Sequence, residues 1–486
     1  MLTRRTAIQS VLAPAMLRGA RRPAGEKPNL LFLWTDEQRA DTLAAYGNHR
    51  FRVPVLNKLA ANSIVFDRCY DTQPVCTPAR SSVMTGLWPH TTGLLSNNIP
   101  LPKSTKTFPE LLADSSYRTG YMGKWHLGDE VFAQHGFEEW VSIEDVYDAH
   151  FTAEKGTARS SYHHFLASRG YKPDAPESKP VKFSRNFAVR RPIEHCKPAF
   201  LATEASHFIE KYRDEPWLLY VNYLEPHMPF YGPLNDLHSD TEAPVPANYP
   251  GDNIEREPEL YRRSRAKTRE NGFDGEDLKS RPGWQRLNRN YAGLCSQVDE
   301  SVGRILKTLE DSGQADSTII VFTSDHGEMM GAHSLIGKSV FYEEAIRVPL
   351  LMRVPFRQYK PHHVAQAVSH IDLVPTLLEL MGRKAPPNLP GESLVPMLSG
   401  KPRRDGHVYL EWHTLPKGPN GRTVLSPDGW KMSLFDTDNC LLFHREKDPL
   451  EMTNLYYRKE SQETISRLRS QIEGWQQRVK DPQRLP

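Results

Sequence analysis

Three apolar runs along the chain each end on a polar segment. The runs cover residues 29–34, 217–224 and 317–322. Their residues are apolar at consecutive rather than alternate positions, which is typical of strands buried on both faces of a mostly parallel sheet. Asp36, His227 and Asp325 stand in the polar segments that follow. Since open α/β sheets bind ligands beyond the C-terminal ends of their strands, these segments are candidates for one shared site.

Helical periodicity lies between and after these runs. Residues 291–309 carry apolar side chains at helical spacing, and Gly313 ends the pattern. Strands that alternate with helices predict an α/β fold. After Gly400 the chain changes to short strand-like pieces, at 407–412 and 430–435, and a last helix with one apolar face. That face carries Ile465, Leu468, Ile472, Trp475 and Val479. The pattern predicts a small α+β unit packed on the main domain.

Two polar stretches interrupt the alternation, at residues 141–200 and 232–290. Both are rich in Pro, Gly and charged residues, and neither shows a sustained period. They are either surface insertions without a special role or segments that rim a pocket and select its substrate.

The charge balance limits the kinds of partner. The 486 residues include 62 Lys and Arg against 59 Asp and Glu, a formal net charge of +3. This balance argues against nucleic acid or an anionic membrane held by bulk charge, so any bound anion must be gripped locally. The five cysteines show no CxxC or Cys/His clustering, which argues against a zinc site or a dense disulfide framework. However the others pair, one thiol has a separate fate.

The N-terminus has the pattern of an export signal. Arg4 and Arg5 form a twin-arginine segment, and a weakly apolar stretch follows over residues 7–17. About 11 residues cannot span a bilayer, which takes roughly 20. Residues 1–25 therefore predict a twin-arginine-type signal, and with it a protein exported to the periplasm or the medium without stable membrane insertion. A disordered basic tail is the alternative.

The strongest motif spans residues 76–86, which read Cys-Thr-Pro-Ala-Arg-Ser-Ser-Val-Met-Thr-Gly. It resembles the signature of type I sulfatases in the alkaline phosphatase superfamily. The resemblance implies that a formylglycine-generating enzyme oxidises Cys76 to formylglycine (3-oxoalanine), whose hydrate has two hydroxyls on one carbon. One hydroxyl would attack sulfur and displace the alcohol, and the other would lose its proton as the aldehyde reforms and sulfate leaves. It also implies that Arg80 holds this group and helps to neutralise charge.

The same resemblance assigns a metal site. Asp36 and Glu37 match the paired acidic position of the family, normally Asp-Asp, and Asp325 and His326 match its Asp-Asn or Asp-His pair. With Cys76 they are the expected ligands of one divalent metal. Carboxylate oxygens favour Ca²⁺ or Mg²⁺, and the imidazole leaves Mn²⁺ or Zn²⁺ open; Ca²⁺ is the ion expected. Glu37 departs from the family pattern, so whether its longer side chain reaches the ion is left open.

Four further residues match polar elements of the family pocket. Residues 123–128 read Gly-Lys-Trp-His-Leu-Gly and resemble the element whose Lys and His contact sulfate and formylglycine, here Lys124 and His126. His227 matches a sulfate-side histidine, and Lys338 matches the lysine that bridges sulfate and the leaving oxygen. Several cations around a transferring sulfuryl group supply electrostatic stabilisation, and one beside the leaving oxygen can act as a general acid.

The expected function is hydrolysis of sulfate monoesters, with sulfated carbohydrates or other sulfated small molecules as substrates. The resemblance implies an alkaline phosphatase-like sheet between helices over residues 27–395, and the small unit over 403–486. A phosphonate or phosphate ester hydrolase of the same superfamily is one alternative. A non-catalytic binder of sulfated glycans is another, but it predicts losses among the pocket residues. Those residues, Cys76, Arg80, Lys124, His126 and Lys338, are all present.

Overall fold

A computed structural model describes residues 27–145, 157–175, 181–357, 359–403, 405–415 and 417–486. The predicted export signal at 1–25 lies outside the described residues. The strands are β1 (Asn29–Asp36), β2 (Ile64–Phe66), β3 (Cys69–Tyr70), β4 (Arg118–Gly123), β5 (Glu139–Val141), β6 (Trp217–Pro226), β7 (Thr318–Ser324), β8 (Arg347–Val348), β9 (Leu350–Arg353), β10 (His362–Val364), β11 (Val368–Ser369), β12 (Val408–Trp412), β13 (Gly421–Leu425), β14 (Trp430–Phe435) and β15 (Leu441–His444). The helices are α1 (Pro54–Ala61), α2 (Cys76–Thr85), α3 (Pro89–Thr92), α4 (Phe108–Leu112), α5 (Ser161–Ser168), α6 (Arg185–Ala188), α7 (Lys197–Lys211), α8 (Glu259–Asn271), α9 (Arg281–Asp311), α10 (Glu343–Ile346), α11 (Leu373–Leu380), α12 (Val395–Leu398) and α13 (Gln462–Val479). Across these ranges, none of the helices combines the length and apolar character needed to cross a membrane.

The main sheet has eight strands in the order β10-β2-β9-β7-β1-β6-β4-β5. The five strands from β7 to β5 run parallel, and β9 is antiparallel to both β7 and β2. The three apolar runs form its central strands β1, β6 and β7. The prediction of a large mixed, mostly parallel sheet is therefore confirmed.

Both faces of the central strand are buried, which explains its unbroken apolar sequence. Leu31 and Leu33 of β1 belong to the core cluster that includes residues of α7 and α9. Leu30 and Phe32 belong to the cluster on the other face, with residues of α2 and α11. Helices thus cover both sides of the sheet, as an α/β sandwich requires.

The strand register brings the polar segments to one edge. Trp34 of β1 pairs with Asn222 of β6 and with Thr323 of β7. The chain segments that follow these positions therefore leave the sheet side by side. Asp36, His227 and Asp325 lie on those segments.

The two polar stretches are more regular than their sequences predicted. They include α5, α6 and α8, and α9 begins at Arg281, before the predicted start at 291. Pro282 and Gly283 hid this start, although proline fits the first turn of a helix. Gly283 is required there because a Cβ would lie 2.0 Å from the carbonyl oxygen of Asp277. The role of the two polar stretches at the rim of the pocket stays a prediction.

The C-terminal unit is a four-stranded antiparallel sheet, β12-β13-β14-β15, with α13 packed on it. The predicted apolar face of α13 is buried at Ile465, Leu468, Ile472 and Trp475. Trp475 meets Trp88 of the main domain edge to face, with ring centroids 5.0 Å apart. The prediction of a small α+β unit is confirmed, while the domain bounds 27–395 and 403–486 stay predictions.

Candidate active site

The candidate nucleophile begins a fully buried helix. Cys76 is the first residue of α2, all ten residues of α2 are buried, and Cys76 is 1% exposed. The first turn of a helix offers unpaired N–H groups and the positive end of the helix dipole, which favour an anion beside Cys76.

Four side chains converge at this point. The Sγ of Cys76 lies 3.2 Å from Nε2 of His326 and 3.9 Å from Oδ1 of Asp36. Oδ1 of Asp325 lies 3.6 Å from the same Nε2. One atom from each of these four buried residues falls within 4.8 Å of the others, so the predicted ligands Asp36, Cys76, Asp325 and His326 are brought together.

The tautomer of His326 suits a metal ligand. Its Nδ1 lies 2.9 Å from the carbonyl oxygen of Gly327, which can only accept, so Nδ1 carries the proton. Nε2 therefore presents its lone pair toward Cys76, as in metal-binding histidines fixed by a backbone carbonyl. Burial lowers the pKa of His326, but Asp325 and Cys76 raise it to about 10. At neutral pH Nε2 would therefore hold a proton, and a divalent metal would take the place of that proton on the lone pair.

Two buried cations take up the remaining carboxylate oxygens. Arg80 donates from Nη2 to Oδ2 of Asp36 at 2.7 Å and from Nε to Oδ2 of Asp325 at 2.9 Å. Lys124 donates to Oδ2 of Asp36 at 2.5 Å. Burial raises the pKa of Asp36, but the cations Lys124 and Arg80 outweigh it and hold this pKa well below its usual value. Asp36 is therefore ionised.

These contacts fit a divalent metal. A carboxylate oxygen, Oδ1 of Asp36, faces the imidazole lone pair of His326, while the cations occupy its second oxygen, Oδ2. Two carboxylates and an imidazole nitrogen are ligands that divalent cations take in proteins. Arg80 holds both carboxylates in place through their Oδ2 atoms, and the Oδ1 atoms are not used by these ion pairs.

The carboxyl group of Glu37 lies beside two other predicted residues. Its Oε1 is 2.9 Å from Nζ of Lys338, and its Oε2 is 3.5 Å from Nε2 of His227. Both carboxylate oxygens are buried, and among the described residues neither accepts a hydrogen bond of good geometry. Atoms of Glu37, Asp36 and His227 also fall within 4.8 Å of one another. The prediction that Glu37 binds the metal stays a prediction.

Lys338 and His227 carry different charges. Burial lowers the pKa of Lys338, but Cys76 and Glu37 raise it above its usual value, so the ammonium is charged. Burial and Lys338 hold the pKa of His227 well below its usual value, so the imidazole is neutral. Its Nδ1 donates to the carbonyl of Met228 at 2.8 Å, which leaves Nε2 as the acceptor.

His126 is held by residues that sequence reasoning missed. Its Nε2 lies 2.8 Å from Oδ1 of Asn98, and its backbone N–H donates to Glu130 at 2.5 Å. Asn97 accepts a hydrogen bond at 3.0 Å from the N–H of Thr77, next to Cys76. The Asn-Asn pair is an ordinary turn signal, and nothing in its spacing indicates that it reaches the nucleophile.

The comparisons with known proteins agree with this geometry. The sulfatase family profile matches residues 28–383, and the profile for the C-terminal region of N-sulphoglucosamine sulphohydrolase matches residues 331–478. N-acetylglucosamine-6-O-sulfatase of Bacteroides thetaiotaomicron is 28% identical, over 94% of this chain and 87% of its own length. An uncharacterised sulfatase of Escherichia coli is 30% identical, over 94% of this chain and 88% of its own.

Solved structures share the fold. A protein in complex with its substrate D-glucosamine-2-N,6-O-disulfate has a TM-score of 0.77 and 24% identity, over 94% of this chain and 99% of its own. The phosphonate monoester hydrolase of Silicibacter pomeroyi has a TM-score of 0.79 and 24% identity, over 94% of this chain and 96% of its own. With the family profile covering residues 28–383, the chain belongs to the sulfatase family of the alkaline phosphatase superfamily and is a sulfuric ester hydrolase.

Proposed function

We propose that this chain hydrolyses sulfate monoesters of carbohydrates, with a formylglycine made from Cys76 as the nucleophile and one divalent metal, Ca²⁺, beside it. The observation that carries the proposal is the position of Cys76 Sγ, 3.2 Å from the His326 lone pair and 3.9 Å from Asp36. A thiol in that position stands in for the hydroxyl oxygen of the hydrated aldehyde.

Asp36, Asp325 and His326 would hold the metal, together with the oxygen on residue 76. When bound, a divalent metal favours the ionised form of a hydroxyl ligand and so supplies a stronger nucleophile at neutral pH. Carboxylate oxygens are the preferred ligands of Ca²⁺, which makes it the expected ion. Elemental analysis of the purified protein distinguishes Ca²⁺ from Mg²⁺ and Mn²⁺.

Arg80 and Lys124 supply fixed positive charge at the closed end of the site. Their side chains are fully buried and already oriented by Asp36, so they cost no reorganisation when a sulfate approaches. We assign them to the non-bridging oxygens, where charge is present throughout the reaction.

Lys338 and His227 lie toward the open end of the site. Their side chains are 12% and 9% exposed, whereas those of Arg80 and Lys124 are fully buried. The leaving alcohol carries the rest of the substrate, so it must face the opening. The charged Lys338 is therefore the group proposed to meet the negative charge on the leaving oxygen, with His227 beside it.

The proposed substrate class rests on the relatives. The similar Bacteroides protein is named for N-acetylglucosamine-6-O-sulfate, and one structural neighbour was solved with a disulfated glucosamine. A phosphonate monoester hydrolase shares the fold, but no contact in this site favours phosphonate over sulfate. Sulfated sugars are accordingly the first class to test.

Export and maturation complete the proposal. The twin-arginine pattern at Arg4 and Arg5 supports export out of the cytoplasm, and the motif at 76–86 supports a formylglycine-generating enzyme as the maturation partner. Replacing both arginines with lysine is expected to keep the protein in the cytoplasm. Export of that variant at the normal level would overturn the signal assignment.

The deciding experiment compares turnover of sulfated monosaccharides, aryl sulfates and aryl phosphonate monoesters by one preparation, with Cys76→Ala as the control. The proposal expects sulfate esters to be hydrolysed with higher kcat/KM than phosphonates, and Cys76→Ala to hydrolyse neither. A preference for phosphonates would favour the other reaction of this superfamily.

A further inference from the structure

Three histidines predicted to belong to the active site have their protons placed differently. His326 and His227 both donate from Nδ1 to a backbone carbonyl, so each presents Nε2 as an acceptor. His126 instead has Nε2 against the side-chain oxygen of Asn98, at 2.8 Å. Since an amide oxygen can only accept, Nε2 of His126 carries the proton and the lone pair of the neutral ring lies on Nδ1.

The ring of His126 is neutral. Burial lowers the pKa of His126 well below its usual value, and Lys124 and Arg80 lower it further. A neutral ring with a protonated Nε2 is an acceptor at Nδ1, which is the state a base requires.

Asn98 is suited to this contact by its backbone as well as its side chain. Its φ is +67°, in the left-handed region that asparagine adopts more readily than most residues. Its N–H lies within 3.4 Å of Oγ1 of Thr77, and that hydroxyl donates to the carbonyl of His126 at 2.8 Å. The turn is thus tied to the first helical turn after Cys76 and to His126 at once.

The backbone of His126 is fixed from the opposite side. Its φ is +56°, and Glu130 accepts hydrogen bonds from the N–H groups of both Trp125 and His126, at 3.0 and 2.5 Å. Because the main chain of His126 is held in this way, its ring can move only by rotation about the side-chain bonds, and the contact with Asn98 restricts that rotation.

We propose that Asn98 is a positioning residue that fixes His126 with Nε2 protonated and Nδ1 as the accepting nitrogen. The assignment rests on the proposed function, to which it adds a role for His126 at the hydroxyls of residue 76. In that role Nδ1 takes the proton of the hydroxyl that carries no sulfate, the oxygen of that hydroxyl forms the aldehyde C=O bond, and the bond from carbon to the sulfate oxygen breaks so that sulfate leaves. The imidazolium, still bound to Asn98 through Nε2–H, then passes the proton to water.

Two variants of Asn98 distinguish the effect of its side-chain acceptor from the effect of its backbone conformation. Asn98→Gly keeps the left-handed conformation but removes the acceptor, and Asn98→Asp keeps both. Loss of a partner that orients a functional histidine typically costs about 10–100-fold, so kcat is expected to fall by that factor in Asn98→Gly with KM little changed. Asn98→Asp should restore most of the loss. Ser96→Ala, in the same loop, is the matched control and should behave as wild type.

Nitrogen-15 spectra of histidine-labelled protein test the assignment without turnover. We expect a protonated Nε2 that exchanges slowly with water in wild type and Asn98→Asp, and fast exchange at that nitrogen in Asn98→Gly. Wild-type protein with the proton on Nδ1 of His126, or Asn98→Gly with unchanged exchange, would overturn the proposal. Because these spectra need no enzymatic activity, they test the role of Asn98 even if the proposed Cys76 chemistry is wrong. The Cys76→Ala control tests that chemistry separately.

Discussion

Two buried arginine–carboxylate clusters, one in each part of the molecule, differ in what they leave unfilled. In the C-terminal unit, Arg422 donates to both oxygens of Asp481 at 2.6 and 2.7 Å, and its third nitrogen donates to the carbonyls of Gly421 and Trp412. In the main domain, Arg80 binds Asp36 and Asp325 just as closely. Both guanidinium groups are fully buried.

The difference lies in the acceptors around them. The Arg422 pair forms a closed set in which one cation meets one anion and carbonyls take the rest. Around Arg80, Oδ1 of Asp36 still faces Nε2 of His326 and the thiol of Cys76, each at 3.9 Å, whereas Oδ1 of Asp325 accepts from the N–H groups of Glu37 and His326. Converging acceptors are costly to bury unless a cation joins them. Burial of an ion pair therefore indicates a structural role, whereas a surplus of acceptors beside the pair indicates a functional one.

The largest expected effect comes from making the same substitution at one aspartate of each arginine–carboxylate cluster. Asp325→Asn removes one carboxylate ligand of the metal. When several residues act as a unit, loss of any one of them removes nearly all of the activity, so kcat/KM should fall at least about 10⁴-fold. Asp481→Asn makes the same chemical change in the C-terminal pair. It should leave kcat/KM of the folded protein unchanged and lower the free energy of unfolding by about 3–5 kcal/mol. Kinetics and denaturant unfolding of both variants check this, and a loss of activity in Asp481→Asn at full folding would contradict it.

The next effect separates the two ends of the active site. Lys338→Ala and His227→Ala should lose about 10²–10⁴-fold more rate on sugar sulfates than on activated aryl sulfates, because a poor leaving group needs its charge met. Arg80 and Lys124 variants should damage both substrate types alike. The measurement is the slope of log kcat/KM against leaving-group pKa. An unchanged slope in Lys338→Ala would place Lys338 in ground-state binding instead.

Glu37 sharpens the outline of the metal site. Glu37→Gln keeps the side chain's size and removes one carboxyl oxygen, so metal affinity should fall about 10–100-fold whether Glu37 binds directly or orients the site. Titration of metal into chelated protein measures this. Unchanged affinity would show that Glu37 interacts with Lys338 and His227 and does not contribute to metal binding.

The smallest effect concerns the junction between the two parts. His90 of α3 lies 2.5 Å from Glu411 of β12 and 3.1 Å from the carbonyl of Val479; both partners accept, so both ring nitrogens donate. Burial lowers the pKa of His90, but Glu411 raises it above its usual value. A raised pKa means stabilisation that is present below about pH 6.5 and lost as pH rises through the folded-state pKa.

Thermal unfolding at several pH values measures this contribution. The midpoint of wild type should fall more between pH 6 and 8 than that of His90→Gln, while activity below the midpoint stays the same. Equal pH dependence in both proteins would show that His90 is not the titrating group.

The parts of the fold that sequence predicted were those with a strong local cause. β1, β6 and β7 were visible because strands buried on both faces need unbroken apolar runs, and the face of α13 was visible from its period. The start of α9 was missed because Pro282-Gly283 resembles a break. α8 was missed because most of its surface is polar and few of its residues are buried.

The site divides in the same way. Cys76 and Arg80 stand in one motif and Asp325 and His326 are adjacent, so local patterns identified them. Asn98 and Glu130 act through tertiary contacts with His126, and neither residue type nor spacing marks those contacts. The position of Glu37 beside Lys338 likewise depends on how two distant segments meet beyond the sheet.

The proposed nucleophile is residue 76 in its oxidised form, within a metal-binding cluster. The most direct measurement is mass analysis of the peptide that contains residue 76, on protein made with and without a formylglycine-generating enzyme, alongside kcat for each preparation. We expect kcat to rise in proportion to the fraction of peptide carrying the aldehyde. Full activity in protein whose Cys76 peptide is entirely the unmodified thiol would contradict it.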